Sequence, residues 1–256
     1  MSSATITTSA RLMNFTPQTE EQAMVRKVAV SSFLGNFIEW FDYASYSYFA
    51  TTIALVFFPT DNHTVAMLQT FGVFALSFIL RPIGALFWGS YGDKKGRKAA
   101  LAHSIMFMSG ASFLIGCLPS YSVIGVGAPI LLLLLRMVQG FSASGEYAGA
   151  ATFLGEYAPT SKRGIYCSLI PASTAIGLLA GSTLATLMTA NMNSSAMVGW
   201  GWRVPFLLAG PLGLIVLYIR AKLADSPVYQ SMNDALESKG TASADGQIAA
   251  KSGMFA

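Results

Sequence analysis

Six apolar segments, each long enough to cross a lipid bilayer, constrain this chain more than any other feature. A transmembrane helix needs about 20 mainly apolar residues to span a hydrocarbon core about 30 Å thick. The six segments are residues 28–58, 65–91, 98–118, 129–155, 165–189 and 203–223. Gly, Ser and Thr scattered through them are typical of membrane helices that pack closely together. The sequence therefore predicts an all-α, polytopic membrane protein with a six-helix transmembrane bundle over residues 28–223.

The composition excludes several other classes of protein. Charged residues make up 11% of the chain, against about 25% in a typical soluble domain. The net charge of +4 comes from short basic clusters between apolar segments, so it indicates membrane topology and no nucleic-acid partner. No HExxH, GxSxG or P-loop motif and no metal-spaced cluster of ligands occurs in the sequence. We expect neither an enzyme nor a bound metal or cofactor.

The lysines and arginines predict the orientation of the bundle. Thirteen of the sixteen cationic residues flank alternate segments on one side, namely Arg11, Arg26, Lys27, Lys94, Lys95, Arg97, Lys98, Lys162, Arg163, Arg220, Lys222, Lys239 and Lys251. The other loops, residues 59–64, 119–128 and 190–202, contain none. Because cytoplasmic loops are enriched in Lys and Arg, we expect a protein of the cell membrane with both termini in the cytoplasm. Residues 1–27 form a cytoplasmic N-terminal segment and residues 224–256 a polar, disordered cytoplasmic tail.

Apart from the cations at the segment ends, five charged residues lie within the apolar segments, where an ionised side chain costs at least about 2.5–3.5 kcal/mol. They are Glu39, Asp42, Arg81, Arg136 and Glu146. At about 1.5 Å per residue, Asp42 and Arg136 both lie about 20 Å above the cytoplasmic edge. The same count places Arg81 and Glu146 at about 5 Å. The depths predict two ion pairs across helices, Asp42 with Arg136 and Arg81 with Glu146.

Two interpretations of these charges remain open. In the functional one, Asp42 and Glu39 are proton-coupling carboxylates, and a proton on either frees Arg136 to bind an anionic substrate or to change partner. Arg81 is a second candidate for binding the substrate. Since Glu39 is three residues before Asp42, both lie on one face of the helix. Tyr43 and Tyr46 would then supply hydroxyl groups to a polar solute. In the structural interpretation, the ion pairs are static, Glu146 forms a latch, and the tyrosines only pack.

The loop Gly89-Ser-Tyr-Gly-Asp93-Lys-Lys-Gly96-Arg97-Lys98 resembles the G-x3-D-[RK]-x-G-R-[RK] signature of the major facilitator superfamily. Further motifs resemble the metabolite:proton symporter branch of that superfamily: Gly35-Asn-Phe-Ile-Glu39-Trp-Phe-Asp42-Tyr, Arg136-Met-Val-Gln139-Gly140, Ser144-Gly-Glu146-Tyr, Gly155-Glu156-Tyr-Ala-Pro159 followed by Arg163-Gly164, Trp202-Arg203-Val-Pro205-Phe and Ser226-Pro227. The resemblance implies a cytoplasmic gating motif of Gly89, Asp93, Gly96, Arg97, Glu156 and Arg163. In it, Arg97 pairs with Asp93 or reaches Glu156, and glycines let helix 2 approach helix 11.

The resemblance also implies the fold and a function. The superfamily has twelve helices in two halves of 3+3 inverted repeats, with the solute held between the halves; this chain corresponds to the N-terminal half. We expect a proton-coupled symporter of a small polar metabolite, an organic acid or zwitterion rather than a sugar, working by alternating access. A second six-helix half, or self-association, is needed to complete the path. The alternative is a truncated or split half-transporter, inactive alone, that is a remnant or an assembly partner.

Overall fold

The structure, a computed structural model, describes residues 16–223, with side chains from residue 22. The chain over this range folds into helices joined by short turns, without a strand. The helices are α1 Thr16–Tyr48, α2 Ala50–Phe57, α3 His63–Ile79, α4 Arg81–Lys95, α5 Arg97–Cys117, α6 Tyr121–Ile124, α7 Gly127–Ala143, α8 Glu146–Tyr157, α9 Arg163–Cys167, α10 Leu169–Asn191, α11 Ser194–Ala196 and α12 Arg203–Ala221. The predicted disordered tail and residues 1–15 of the N-terminal segment lie outside the described residues.

These helices form six spans that correspond one to one with the predicted segments. Span 1 is α1 with α2, span 2 is α3 with α4, span 3 is α5, span 4 is α7 with α8, span 5 is α9 with α10, and span 6 is α12. The first helix begins at Thr16, twelve residues before the predicted start at 28. The end that carries the turns after α4 and after α8, residues 94–98 and 158–163, is called the basic end below.

Two of the interruptions within spans lie beside prolines. Pro82 is within the first two residues of α4, a position where its missing N–H costs no helical hydrogen bond. Span 2 therefore breaks at Leu80, and Arg81 becomes the first residue of a new helix. Span 5 breaks at Ser168, three residues before Pro171.

Five helical stretches in the described part of the chain are long and apolar enough to cross a membrane. They are His63–Lys95, Arg97–Cys117, Gly127–Tyr157, Thr160–Asn191 and Ser194–Ala221. Helix α1 is longer than most, at 33 residues, but it carries Asn36, Glu39 and Asp42, which are all buried inside the bundle. Large apolar side chains such as Leu68, Leu86 and Leu214 are exposed on the outside, as a lipid environment requires.

The packing of the spans repeats under an internal exchange. Span 1 packs on span 5 and span 4 packs on span 2; span 3 packs on span 4 and span 6 packs on span 1; spans 3 and 6 pack on each other. If span 1 is exchanged with span 4, 2 with 5 and 3 with 6, the first contact becomes the second and the third becomes the fourth. The contact between spans 3 and 6 becomes itself. This is the arrangement expected of a 3+3 inverted repeat.

Glycines bring several spans into backbone contact. A Cβ at Gly84 would lie 2.2 Å from the carbonyl oxygen of Phe141, and a Cβ at Gly140 would lie 1.9 Å from that of Ser77. Spans 2 and 4 therefore cross with no room for a side chain at either position. Gly177 and Gly181 similarly abut the backbone and Ala44 of span 1. Small residues allow this close approach in membranes.

Candidate solute and proton site

Asp42 and Arg136 form an ion pair in the interior of the bundle. The Nη1 atom of Arg136 lies 2.7 Å from Oδ2 of Asp42, and the side chains are 1% and 3% exposed. Ser112 Oγ and Gln139 Nε2 donate to the other carboxylate oxygen, Oδ1, at 2.9 and 3.1 Å. The predicted contact is confirmed. Both oxygens of this carboxylate have donors from spans 3 and 4, the environment that a buried charge requires.

Arg136 is also enclosed by aromatic rings. Its guanidinium carbon lies 3.8 Å from the ring centroid of Tyr46 and 5.4 Å from that of Phe206. The Tyr46 hydroxyl donates to the carbonyl of Thr70 at 2.9 Å, so its polar group is already occupied. The Nε and Nη2 atoms of Arg136 are buried without a hydrogen-bond partner within the described residues. The guanidinium therefore retains two donors that a solute or a water molecule would satisfy.

Glu39 and Arg81 form a second pair, with a different environment. Nη2 of Arg81 lies 2.5 Å from Oε1 of Glu39, and it also donates to the hydroxyl of Tyr43. Glu39 is 2% exposed, whereas Arg81 is 27% exposed. The second carboxylate oxygen, Oε2, is buried and has no hydrogen-bond partner in the part of the chain described. The guanidinium of Arg81 also lies over the rings of Tyr43 and Phe78.

The Glu39–Arg81 pair opens into a groove of about 470 Å³, within the size range of small-molecule sites. Spans 1, 2, 4 and 5 supply its walls: Glu39, Trp40, Arg81, Ser144, Tyr147, Ala148, Pro171 and Thr174. The break in span 2 places Arg81 at the N-terminus of α4, where the helix dipole favours an anion. Charges of both signs and two aromatic rings therefore face one concave surface.

Glu146 pairs with Arg220, and the predicted pairing of Arg81 with Glu146 is wrong. Both Nη atoms of Arg220 donate to the two oxygens of Glu146, at 3.0 Å for Nη1 to Oε2. The Arg220 side chain is 2% exposed, although the sequence analysis counted it among the cations that flank the spans. Helix α12 continues to Ala221, and this carries Arg220 into the bundle. Equal depth did not determine the pairing because Arg81 faces Glu39 on span 1.

The predicted gating residues gather at the basic end. Arg97 contacts two carboxylates, Asp93 at 3.5 Å and Glu156 at 3.2 Å, so both of its anticipated partners are engaged at once. Gly96 has a φ of 95°, which favours glycine and lets α5 start directly after α4. A side chain at Gly89 would meet no described atom within 4 Å. Arg163 is exposed at the start of α9 and lies outside these two ion pairs.

Several residues of these sites were not anticipated from the sequence. They are Gly35, Trp40, Ser104, Ser112, Gln139, Tyr147 and Arg220. Small and aromatic residues occur throughout the spans, so their composition carries no signal. The exception is Arg220, which lies within the predicted segment 203–223 and could have been counted with the intramembrane charges.

The Sugar (and other) transporter family model matches residues 27–251. The chain belongs to this family, and with it to the major facilitator superfamily. Two curated members are 42% identical to it over 217 residues: the proline/betaine transporters of Salmonella typhimurium and of Escherichia coli, each covered over 43% of its length and 85% of this chain. The glycine betaine/proline/ectoine/pipecolic acid transporter of Dickeya dadantii is also 42% identical over 217 residues. The chain therefore spans less than half the length of these relatives.

Solved structures of the superfamily show the same fold. A partially occluded, inward-open form of the xylose transporter of E. coli matches with a TM-score of 0.74 at 17% identity, covering 82% of this chain and 52% of that one. The proton:xylose symporter bound to 6-bromo-6-deoxy-D-glucose matches with a TM-score of 0.72 at 16% identity, with coverages of 82% and 46%. The predicted all-α half of a major-facilitator fold is thus confirmed. The chain thus forms a multi-pass helical bundle and belongs to a family of membrane transporters.

Proposed function

We propose that this chain forms the solute-binding half of a proton-coupled symporter for a small zwitterion, working by alternating access. The observation that carries the proposal is a pair of carboxylate–guanidinium contacts inside the spans, Glu39–Arg81 and Asp42–Arg136. Paired charges inside membrane proteins mark substrate paths and proton relays. The names of the relatives, proline/betaine transporters, favour a zwitterion over a simple organic acid, and favour transport over an inactive remnant.

The chemistry follows from what protonation does to such a pair. A guanidinium in contact with a carboxylate attracts its charged form, and this attraction holds the pair together. Adding a proton to the carboxylate removes the attraction and frees the guanidinium for the carboxylate of a solute. Asp42 or Glu39 would carry the proton, with Arg136, Arg81 and the hydroxyls of Tyr43 and Tyr46 as candidate contacts of the solute.

We propose that the basic end faces the cytoplasm, with both termini on that side. The support is the positive-inside rule applied to Lys94, Lys95 and Lys98, and to the turn before α9. Arg97 with Asp93 and Glu156 would then hold the cytoplasmic end closed while the protein faces outwards. Breaking these exposed contacts costs little, so they suit a gate that opens in every cycle.

A second six-helix half completes the solute path in this proposal. The relatives are more than twice as long as the matched segment, since it covers 43% of each. The groove at Glu39 and Arg81 is open on one side, and Gly89 lies on an exposed face where another helix has room to approach. Two halves around a central solute site are the arrangement of the superfamily.

The test is uptake of radiolabelled proline and glycine betaine into vesicles with an imposed proton gradient, acid outside. The chain is reconstituted alone and together with the separately produced C-terminal half of the Salmonella relative, with co-purification establishing assembly. We expect gradient-dependent uptake by the assembled pair, abolished by a protonophore. Assembled vesicles that take up neither solute, or that take up solute indifferently to the gradient, would contradict the proposal.

A further inference from the structure

The two carboxylates of span 1 differ in how fully their charge is satisfied. Asp42 receives hydrogen bonds on both oxygens, from Arg136, Ser112 and Gln139, and is enclosed with its arginine. Glu39 uses one oxygen, while Oε2 is buried without a partner among the described residues. Its arginine, Arg81, is about a quarter exposed, at 27%, and lines the open groove. Unsatisfied atoms occur in both pairs, on Arg136 in the first and on Glu39 in the second, but only the second pair lines the groove and has an unsatisfied carboxylate oxygen.

We propose that the Glu39–Arg81 pair, and not Asp42–Arg136, is the exchange site at which proton and solute are coupled. This inference rests on the proposed symport function and assigns its chemistry to particular atoms. The carboxylate of the zwitterion replaces Glu39 on the Nη2 atom of Arg81, and a proton from the side of entry binds to a carboxylate oxygen of Glu39. Asp42 and Arg136 hold spans 1 and 4 together throughout the cycle.

The charge balance of the exchange is one proton for each solute. Before binding, Glu39 and Arg81 are neutral as a pair. Afterwards, Arg81 is paired with the solute carboxylate, Glu39 is neutral, and the solute keeps its ammonium charge. On release, the solute leaves first, and Glu39 returns its proton to water when it pairs with Arg81 again. If the solute binds while Glu39 has no proton, the carboxylate of Glu39 competes with that of the solute for the guanidinium of Arg81.

The groups that face Glu39 permit this exchange. Tyr43 on the same span shares Arg81 with it. Span 4 contributes Tyr147 to the groove, and its buried carboxylate, Glu146, is neutralised by Arg220. Span 5 contributes only uncharged residues to the groove, Pro171 and Thr174. Arg81 is therefore the positive group in direct contact with Glu39, and a solute carboxylate that takes it leaves Glu39 with no cation in contact.

The aromatic walls of the groove supply a place for the ammonium group. Trp40 and Tyr147 line the same surface as Arg81, and aromatic faces attract quaternary ammonium ions. A zwitterion lying across the groove would put its carboxylate on Arg81 and its methylated ammonium against these rings. This orientation favours glycine betaine over proline, whose ammonium is secondary and carries fewer apolar substituents.

The experiment separates coupling from binding in the assembled vesicles described above. Glu39→Gln should abolish accumulation driven by the proton gradient, and it should reduce solute counterflow, which needs no net proton movement, much less than it reduces accumulation. Asp42→Asn should abolish both activities. Trp40→Leu should raise the half-saturation concentration for glycine betaine about tenfold, and that for proline less.

Three results would overturn the inference. If vesicles with Glu39→Gln still accumulate solute with the gradient, coupling takes place at another residue. Glu39→Gln that loses counterflow as well gives Glu39 a structural or binding role. Asp42→Asn with intact counterflow and lost gradient dependence transfers the coupling to Asp42. A failure of the proposed function itself looks different, because wild-type vesicles would then show neither accumulation nor counterflow.

Discussion

Arg220 occupies the space that a side chain at Gly35 would need. A Cβ at Gly35 would lie 2.5 Å from Nη2 of Arg220 and 2.1 Å from Oε1 of Glu146. Arg220 also donates to the carbonyl of Leu101 at 2.5 Å, and Ser104 donates to Glu146 at 3.2 Å. The Glu146–Arg220 pair therefore joins spans 1, 3, 4 and 6 near the basic end. It can form only because residue 35 of span 1 is a glycine.

We expect Gly35→Ala to destabilise the protein strongly. Displacing one partner of a buried ion pair costs about 3–5 kcal/mol, which at about 2–4 °C per kcal/mol lowers the midpoint of thermal unfolding in detergent by at least about 6 °C. Gly110→Ala is the matched control, because a Cβ there meets no described atom within 4 Å and alanine favours a helix. If Gly35→Ala and Gly110→Ala unfold at the same temperature, the Glu146–Arg220 pair can be displaced without loss of stability.

Asp42 and Arg136 should behave as a coupled pair in a double-mutant cycle. Asp42→Asn alone leaves a buried guanidinium unpaired, at a cost of about 3–5 kcal/mol. Adding Arg136→Gln removes that charge, so the double variant should unfold at a higher temperature than Asp42→Asn. The measurement is thermal unfolding of the four proteins. Additive single effects would mean that the 2.7 Å contact contributes no coupling energy.

Arg97→Gln should change gating much more than stability. Arg97 is 32% exposed and its partner Asp93 is 68% exposed, so this contact contributes less than about 1 kcal/mol. In the assembled transporter, a cysteine at Ala148, which lines the grooves on both sides of span 4, should react faster with a maleimide added from the basic end. Arg163→Gln tests whether the remaining basic residue of the motif contributes; unchanged labelling in both variants would remove Arg97 from the gate.

Cysteine labelling in intact cells tests the orientation. In a background with Cys117→Ser and Cys167→Ser, Asp61→Cys at the loop before α3 should react with a membrane-impermeant maleimide. Lys162→Cys, exposed at the basic end, should react only after the cells are opened, because the positive-inside rule places this end in the cytoplasm. The reverse pattern would invert the bundle and assign the gating cluster to the outside.

The sequence alone predicted the features that depend only on position along the chain, such as the length of a segment and the depth of a residue in the membrane. Segment length and apolarity predicted all six spans, and counting residues along the helix predicted that Asp42 and Arg136 would meet. The same count failed for Arg81 and Glu146, because depth gives no information on which direction a side chain faces around its helix. The break at Leu80 and the small size of Gly35 determined those directions, and both act through three-dimensional packing.

Span 1 has a consequence for biogenesis. Its carboxylates, Glu39 and Asp42, leave the ribosome before the arginines that neutralise them, at positions 81 and 136. Each unpaired acid in the lipid core costs about 2.5–3.5 kcal/mol on the insertion scale. We therefore expect span 1 to enter the lipid only together with spans 2 and 4, so that the order of integration differs from the order of synthesis.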